Sequence, residues 1–219
     1  MASVTRSPRA DRTQRRERIE RQLLEATDRL MSEGASFTEL SVDRLATAAG
    51  ISRASFYIYF EDKGHLLRRL ATQVFTDLTA AAQLWWSVAE RGQRADLHAG
   101  MAAIITVYRR HQPVLVALNE LAPYDAAVGD TYRELLSGVS TGLTRVITDG
   151  QADGSIRAQL PAATTADTLT WMVERTCQQN LPNRPGSYDA ELADVLTEIV
   201  WSTLYFTGDF GALGCGERD

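Results

Sequence analysis

The stretch Leu40–Leu67, LSVDRLATAAGISRASFYIYFEDKGHLL, decides how this chain is read. Ser41 is a good N-cap for a short helix through Ala48, Gly50 stops that helix, and Ser52 caps a second one. Val42, Leu45 and Ala46 give the first helix an apolar face, and the small Ala46 and Ala49 permit close approach of the second. Gly50 supplies the left-handed turn without a Cβ penalty. Ile51 and Phe56 fill the gap between the helices and Phe60 also reads as core, which leaves Arg53, Ala54, Ser55 and Tyr57 on the outer side. This is the logic of a helix-turn-helix, in which two short helices cross steeply and the second enters the DNA major groove.

That geometry puts Arg53 and Ser55, at the start of the second helix, where base edges lie, and the phenols of Tyr57 and Tyr59 where phosphates lie. Arg53 is suited to pair bidentately with guanine O6 and N7, a contact worth about 1–3 kcal/mol of discrimination. Ser41 and Lys63 stand at helix N-termini, where backbone N–H groups and the helix dipole favour a phosphate. Tyr57 and Tyr59 also suit the plainer role of surface aromatics on a small domain.

Outward from this stretch, helical periodicity dominates and strand signals are nearly absent. Ile19, Leu23, Ala26, Leu30 and Met31 recur at three- and four-residue steps and mark a helix over 15–32. Asp62 opens a long helix over about 63–90. Further helices are expected over 95–111, stopped by Pro113; 114–121, stopped by Pro123; 125–150; 164–181, stopped by Pro182; and 189–206. About nine helices result, so the fold class is all-α. Residues 1–14 read as a flexible basic arm, 15–62 as the helix-turn-helix domain, 63–206 as a second helical domain, and 207–219 as a flexible tail.

A net charge of −5 argues against a nucleic-acid partner until it is mapped. Residues 1–69 hold 13 Lys+Arg against 10 Asp+Glu, whereas residues 70–219 hold 10 against 18. Seven arginines, Arg15 and Arg16 among them, fall within the first 21 residues. A basic N-terminal part on an acidic body reads as an anion-binding module joined to something with another task. The two cysteines, Cys177 and Cys215, form no CxxC, so neither a disulfide framework nor a zinc cluster is expected, and a reducing, cytoplasmic setting is the default. No cofactor, signal peptide or membrane span is expected. His65, His98 and His111 are isolated, no G-x-S-x-G, H-E-x-x-H or Walker lysine occurs, and Glu90, Glu120, Glu134 and Glu174 read as helix-surface glutamates, so no enzyme is indicated.

The pattern SVDRLATAAGIS followed by FYIYFEDKGHLL closely resembles the DNA-binding domain of the TetR family of bacterial transcriptional regulators. The likeness covers about residues 15–70. It implies a three-helix DNA-binding domain plus a C-terminal ligand-binding and dimerisation domain, and a homodimer that reads a palindromic double-stranded operator. It further implies release by a small molecule and, most commonly, repression. The family's DNA-contacting positions correspond to Ser41, Arg53, Ala54, Ser55, Tyr57, Tyr59 and Lys63, with Arg15 and Arg16 adding unselective affinity. One departure is Gly64-His65, where the family commonly has an acidic residue that helps to cap the long helix; Gly64 in a first turn costs about 0.5–1 kcal/mol against Ala. WMVERT (Trp171–Thr176) and VLTEIVWSTLYF (Val195–Phe206) look like the EthR-type branch.

All four tryptophans, with Met101 and Tyr108, lie in the second domain and could line an apolar tunnel for an elongated or aromatic ligand, or simply pack. With the family layout, Trp85, Met101, Tyr108, Thr170, Trp171 and Val173 are the expected pocket residues and a small lipophilic effector the expected ligand. The resemblance also turns the last two helices into a dimer interface, with Val195, Leu196, Ile199 and Val200 on it. The alternative is a small-molecule binding protein or helical enzyme with a vestigial helix-turn-helix, which has no reason to keep the arginine-rich start and the Arg53/Ser55/Tyr57 surface.

Overall fold

The computed structural model describes residues 8–205, with side chains from residue 13 onward. Nine α-helices make up this part: α1 (Pro8–Ser32), α2 (Val42–Ala48), α3 (Arg53–Tyr59), α4 (Lys63–Trp86), α5 (Arg94–Arg110), α6 (Gln112–Leu121), α7 (Ala126–Asp153), α8 (Ala162–Asn180) and α9 (Tyr188–Leu204). Single 3-10 turns at Ala89–Arg91 and Leu181–Asn183 tighten two of the connections. The expected tail over 207–219 and the first seven residues of the expected arm lie outside the described residues.

Side-chain caps start the helices where the sequence supplies acceptors. Ser41 Oγ accepts from Arg44 N–H at 3.2 Å, Ser52 Oγ from Ser55 N–H at 3.0 Å, and Asp62 Oδ1 from His65 N–H at 2.6 Å, each meeting an otherwise orphaned donor. Asp125 does the same for α7 through Val128 N–H at 3.1 Å. Gly50 has φ of 69°, the left-handed turn between α2 and α3.

Three expectations about boundaries change. Residues 8–14 are helical rather than an arm, because Pro8 is well suited to a first helical turn and nothing after it breaks the helix. The long helix ends at Trp86, and Pro113 stops nothing: it sits in the first turn of α6, two residues beyond the His111 that separates α5 from α6.

Buried residues from Ile19 to Leu204 form one continuous apolar cluster. α4 runs through it, packing on α5, α6 and α7, while α1 contacts α2, α4 and α6. Phe56 packs on Phe60 with the rings tilted, and Phe60 meets His65 edge-on, which seats the helix-turn-helix on the start of α4. Polar ties reinforce the seat. Arg69 is bidentate to Glu20, with contacts of 3.1 and 3.3 Å from one nitrogen; Arg29 donates to Ala48 O at 2.7 Å; and Ser36 Oγ reaches Glu120 on α6 at 3.3 Å.

Gly64 and His65, the family departure, have a local explanation. A Cβ on Gly64 would stand 2.6 Å from Asp125 Oδ2, so the start of α4 can approach the α7 cap only without a side chain. His65 Nδ1 accepts from Glu61 N–H at 3.3 Å and reaches back across the cap much as an acidic side chain would. Gly138, mid-α7, has open space at its Cβ position. Gly64→Ala is therefore expected to destabilise by about 1–2 kcal/mol through the displaced cap, despite the better helix propensity of Ala. Gly138→Ala is expected to stabilise by about 0.5–1 kcal/mol. Thermal denaturation of the two variants checks both signs.

Candidate nucleic-acid interface and internal cavity

The second helix of the helix-turn-helix shows two faces. Phe56 is fully buried, while Arg53, Ala54, Tyr57 and Ile58 are exposed. Arg53 Nη1 donates to Asp43 Oδ2 at 2.7 Å, and its guanidinium carbon lies 5.6 Å from the Tyr57 ring centroid. Both members of that ion pair are more than half exposed, so water screens it and it exchanges easily for a better partner. Ser55 Oγ shares a hydrogen bond with Ser52 Oγ at 2.9 Å, and its rotatable hydroxyl stays half-exposed. Tyr59 is half-buried against the core, which limits how far its phenol can reach. Ile58, 73% exposed, was not singled out from the sequence. An isoleucine placed outward where the neighbouring Phe56 turns inward is its signal, and it suits a thymine methyl.

Lys63 departs from expectation. Its ammonium donates to Phe37 O, Thr38 O and Leu40 O at 3.2, 2.9 and 2.7 Å, which uses all three of its N–H groups and leaves none for a phosphate. Burial lowers its pKa. Ser41 remains exposed at the start of α2. Arg15 and Arg16 are exposed on α1, and Arg16 Nε pairs with Glu20 at 3.1 Å.

Between α4, α5, α7, α8 and α9 lies an apolar cavity of about 80 Å³. Trp85, Met101, Tyr108, Thr170 and Val173 line it, as do Phe75 and Leu136. Trp171 does not: one residue beyond Thr170 it has turned about 100° round the helix, and it is 36% exposed on the outside. Val200, expected at a dimer interface, lines the cavity instead, and Leu196 is buried within the chain. Of the four expected interface residues only Val195 (50%) and Ile199 (41%) face outward. The spacing of α9 makes this division unavoidable, because residues 192, 196 and 200 lie on one stripe and 195 and 199 on the next.

Glu174 is the largest correction. Expected on a helix surface, it is 3% exposed, lines the cavity and accepts a short hydrogen bond from Tyr132 on α7. Its place on the stripe Thr170, Glu174, Cys177 was the signal that could have turned it inward. Burial raises its pKa, partly offset by the Tyr132 hydrogen bond and then by Arg175. Burial and the Glu174 charge push the Tyr132 phenol upward as well, and burial carries the Cys177 thiol to about 12.

A carboxyl held above its ordinary value of 4.5 binds its proton more tightly in the folded chain than in the unfolded one. Its ionisation therefore costs stability as pH rises from that value through the folded pKa. Glu174→Gln is accordingly expected to raise the melting temperature at neutral and alkaline pH, with the gain shrinking towards the ordinary carboxyl value. Melting curves of both proteins across that range measure it.

Comparison with known proteins sets these surfaces in context. The family model of bacterial regulatory proteins of the tetR family matches residues 23–70, and that of the C-terminal domain of the transcriptional regulator EthR matches residues 97–206. The HTH-type transcriptional regulator EthR of Mycolicibacterium smegmatis is 28% identical over 212 residues, spanning 94% of this chain and 96% of that protein. Its namesake in Mycobacterium tuberculosis H37Rv is 28% identical over 208 residues, spanning 93% and 96%. Among solved structures, a TetR-family regulator from Rhodococcus sp. superposes with a TM-score of 0.68 at 21% identity, over 86% of this chain and 99% of that one. FadR from Bacillus subtilis, solved with stearoyl-CoA, superposes at 0.66 with 16% identity, over 84% and 98%. At such identities the structural likeness shows the fold alone.

Proposed function

The chain belongs to the TetR family of bacterial transcriptional regulators, with a C-terminal domain of the EthR type, and from that premise we propose a dimeric, effector-released repressor of a palindromic operator. It is a DNA-binding regulator and not an enzyme. The observation that carries the proposal is the two-faced α3, seated on an α4 whose other end lines the cavity.

In this reading α1–α3 read DNA and α5–α9 hold the effector and the partner subunit, in the cytoplasm where bacterial DNA lies. Arg53 leaves Asp43 for a guanine edge, Ala54, Ser55 and Ile58 fit the groove beside it, and Tyr57 and Tyr59 approach the backbone. Ser41 supports a phosphate contact. Lys63 holds the turn before α2 in place instead of contacting DNA. Arg15 and Arg16 add affinity that is blind to sequence.

The effector is a small lipophilic molecule. About 80 Å³ is little room, so entry widens the cavity and displaces Leu78, Trp85 and Trp86 at the far end of α4. Because α4 is one unbroken helix, that displacement tilts its start and moves α3 relative to the α3 of the partner subunit. Differential effector affinity for the two arrangements supplies the coupling. No helix among the described residues is long and apolar enough to cross a membrane.

In gel-shift titrations against DNA from its own upstream region, the protein is expected to bind specifically and with strong salt dependence. Arg53→Ala should relax sequence preference, whereas the double change Arg15→Ala, Arg16→Ala should weaken binding to all sequences and flatten the salt slope. Equal effects of both on every sequence would contradict this division of roles.

For the dimer, the exposed apolar side chains of Trp171, Val195 and Ile199 on α8 and α9 are the surface that a twofold-related copy would cover. Light scattering should give a dimer for the natural chain and a folded monomer for the combined change Val195→Glu, Ile199→Glu. A natural chain that is monomeric at micromolar concentration overturns the dimer.

A further inference from the structure

The cavity is apolar except at one end, and that end is chemically incomplete. Thr170 is 7% exposed and Glu174 3%, both line the cavity, and both carry a buried oxygen without a hydrogen-bond partner, Thr170 Oγ1 and Glu174 Oε2. The other buried threonines, Thr27, Thr165 and Thr197, each donate to the carbonyl four residues back, the usual resting place for a helical hydroxyl. Thr170 has no such bond. Glu174 Oε1 is satisfied by Tyr132, but the nearest cation to Oε2 is Arg175 Nε at 3.9 Å, beyond hydrogen-bond reach and on a side chain about half exposed.

Tyr108, Tyr132 and Cys177 are acids that burial and the charge of Glu174 hold in their protonated forms. A buried carboxylate without a full complement of donors is costly, and an unpaired hydroxyl beside it adds to that cost. A bound group that brings donors and positive charge removes both deficits, whereas a bound anion would deepen them.

We infer that the effector is a lipophilic amine: an apolar, flat or elongated body in the cavity, ending in an ammonium group that donates one N–H to Glu174 Oε2 and another to Thr170 Oγ1. This rests on the reading of the cavity as the effector site and narrows it to a chemical class. Thr170 and Glu174 stand one helical turn apart on α8, the spacing at which two side chains on one face converge on a single nitrogen. The apolar lining, Phe75, Leu136 and Trp85 among it, contacts the apolar body.

The test uses three probes of matched size and shape: 2-phenylethylamine, 2-phenylethanol and phenylacetate. Each is titrated into the full-length protein at mildly alkaline pH, by calorimetry and by quenching of tryptophan fluorescence. The amine is expected to bind about tenfold or more tightly than the alcohol, with phenylacetate weakest, a difference of about 1.4 kcal/mol or more between the first two. Glu174→Gln should remove that preference while leaving the alcohol's affinity within about twofold. Thr170→Val, which keeps the volume and the carboxylate, should weaken the amine alone and serves if the glutamine variant fails to fold. Alcohol or phenylacetate binding as tightly as the amine overturns the amine assignment and leaves the cavity reading standing. If none of the three binds, the amine assignment and the cavity reading both fall.

Discussion

A single helix has to bury its apolar stripe against two different partners, and the rest of the molecule is arranged round that constraint. The 24 residues of α4 span about 36 Å. At its start, Leu66, Leu67 and Leu70 are buried close to Phe60 and the helix-turn-helix, while Leu78, Ala82 and Trp85 at the other end are buried beside the cavity. Neither half can shed its neighbours without exposing leucine and aromatic surface, so the helix is held as one unit along its length. The Gly64–Asp125 approach and the Asp77–His111 contact at 3.0 Å hold the helix against α7 and the α5–α6 corner. A lever of this kind needs stiff attachments at both ends, and it has them.

The two ends of the lever differ in what they leave unsatisfied. At the DNA end the loose charge is parked at the surface, where Arg53 rests between Asp43 and Tyr57 in water and costs little to release. At the cavity end the unsatisfied atoms are buried, and nothing in water compensates them. The first arrangement favours exchange of partners, which suits a surface that must search many sequences. The second stores a demand that only a complementary molecule meets, which suits selectivity towards a ligand. Arg109 shows what a satisfied counterpart looks like: its guanidinium holds both oxygens of Asp189 at 3.0 and 3.1 Å through one nitrogen and also bonds Leu181 O at 2.5 Å, pinning the α8–α9 connector.

Lys63 illustrates how a position and its role separate. As the first residue of α4 it stands where a lysine favours a bound phosphate, yet its ammonium turns back onto the chain between α1 and α2. Thr38 O and Leu40 O lie in a short irregular segment between helices, and the half-buried ammonium satisfies both while adding a second donor to Phe37 O, which already accepts from Leu40 N–H. The lysine whose position suits a DNA contact thus braces the turn that leads into α2.

The amino-acid sequence alone determined the number and order of the helices, the Gly50 turn, the Ser41, Ser52 and Asp62 caps and the outward Arg53–Tyr57 face, because these follow from near-neighbour spacing and from backbone groups that a nearby side chain must satisfy. Tertiary structure decided what spacing leaves open. Periodicity shows that α8 and α9 have two faces but not which face meets α7, α5 or solvent, so Leu196 and Val200 went inward, Trp171 outward, and Glu174 against Tyr132. The partners that make those choices lie tens of residues away, and only their packing together converts a stripe on one helix into a wall, a surface or a site.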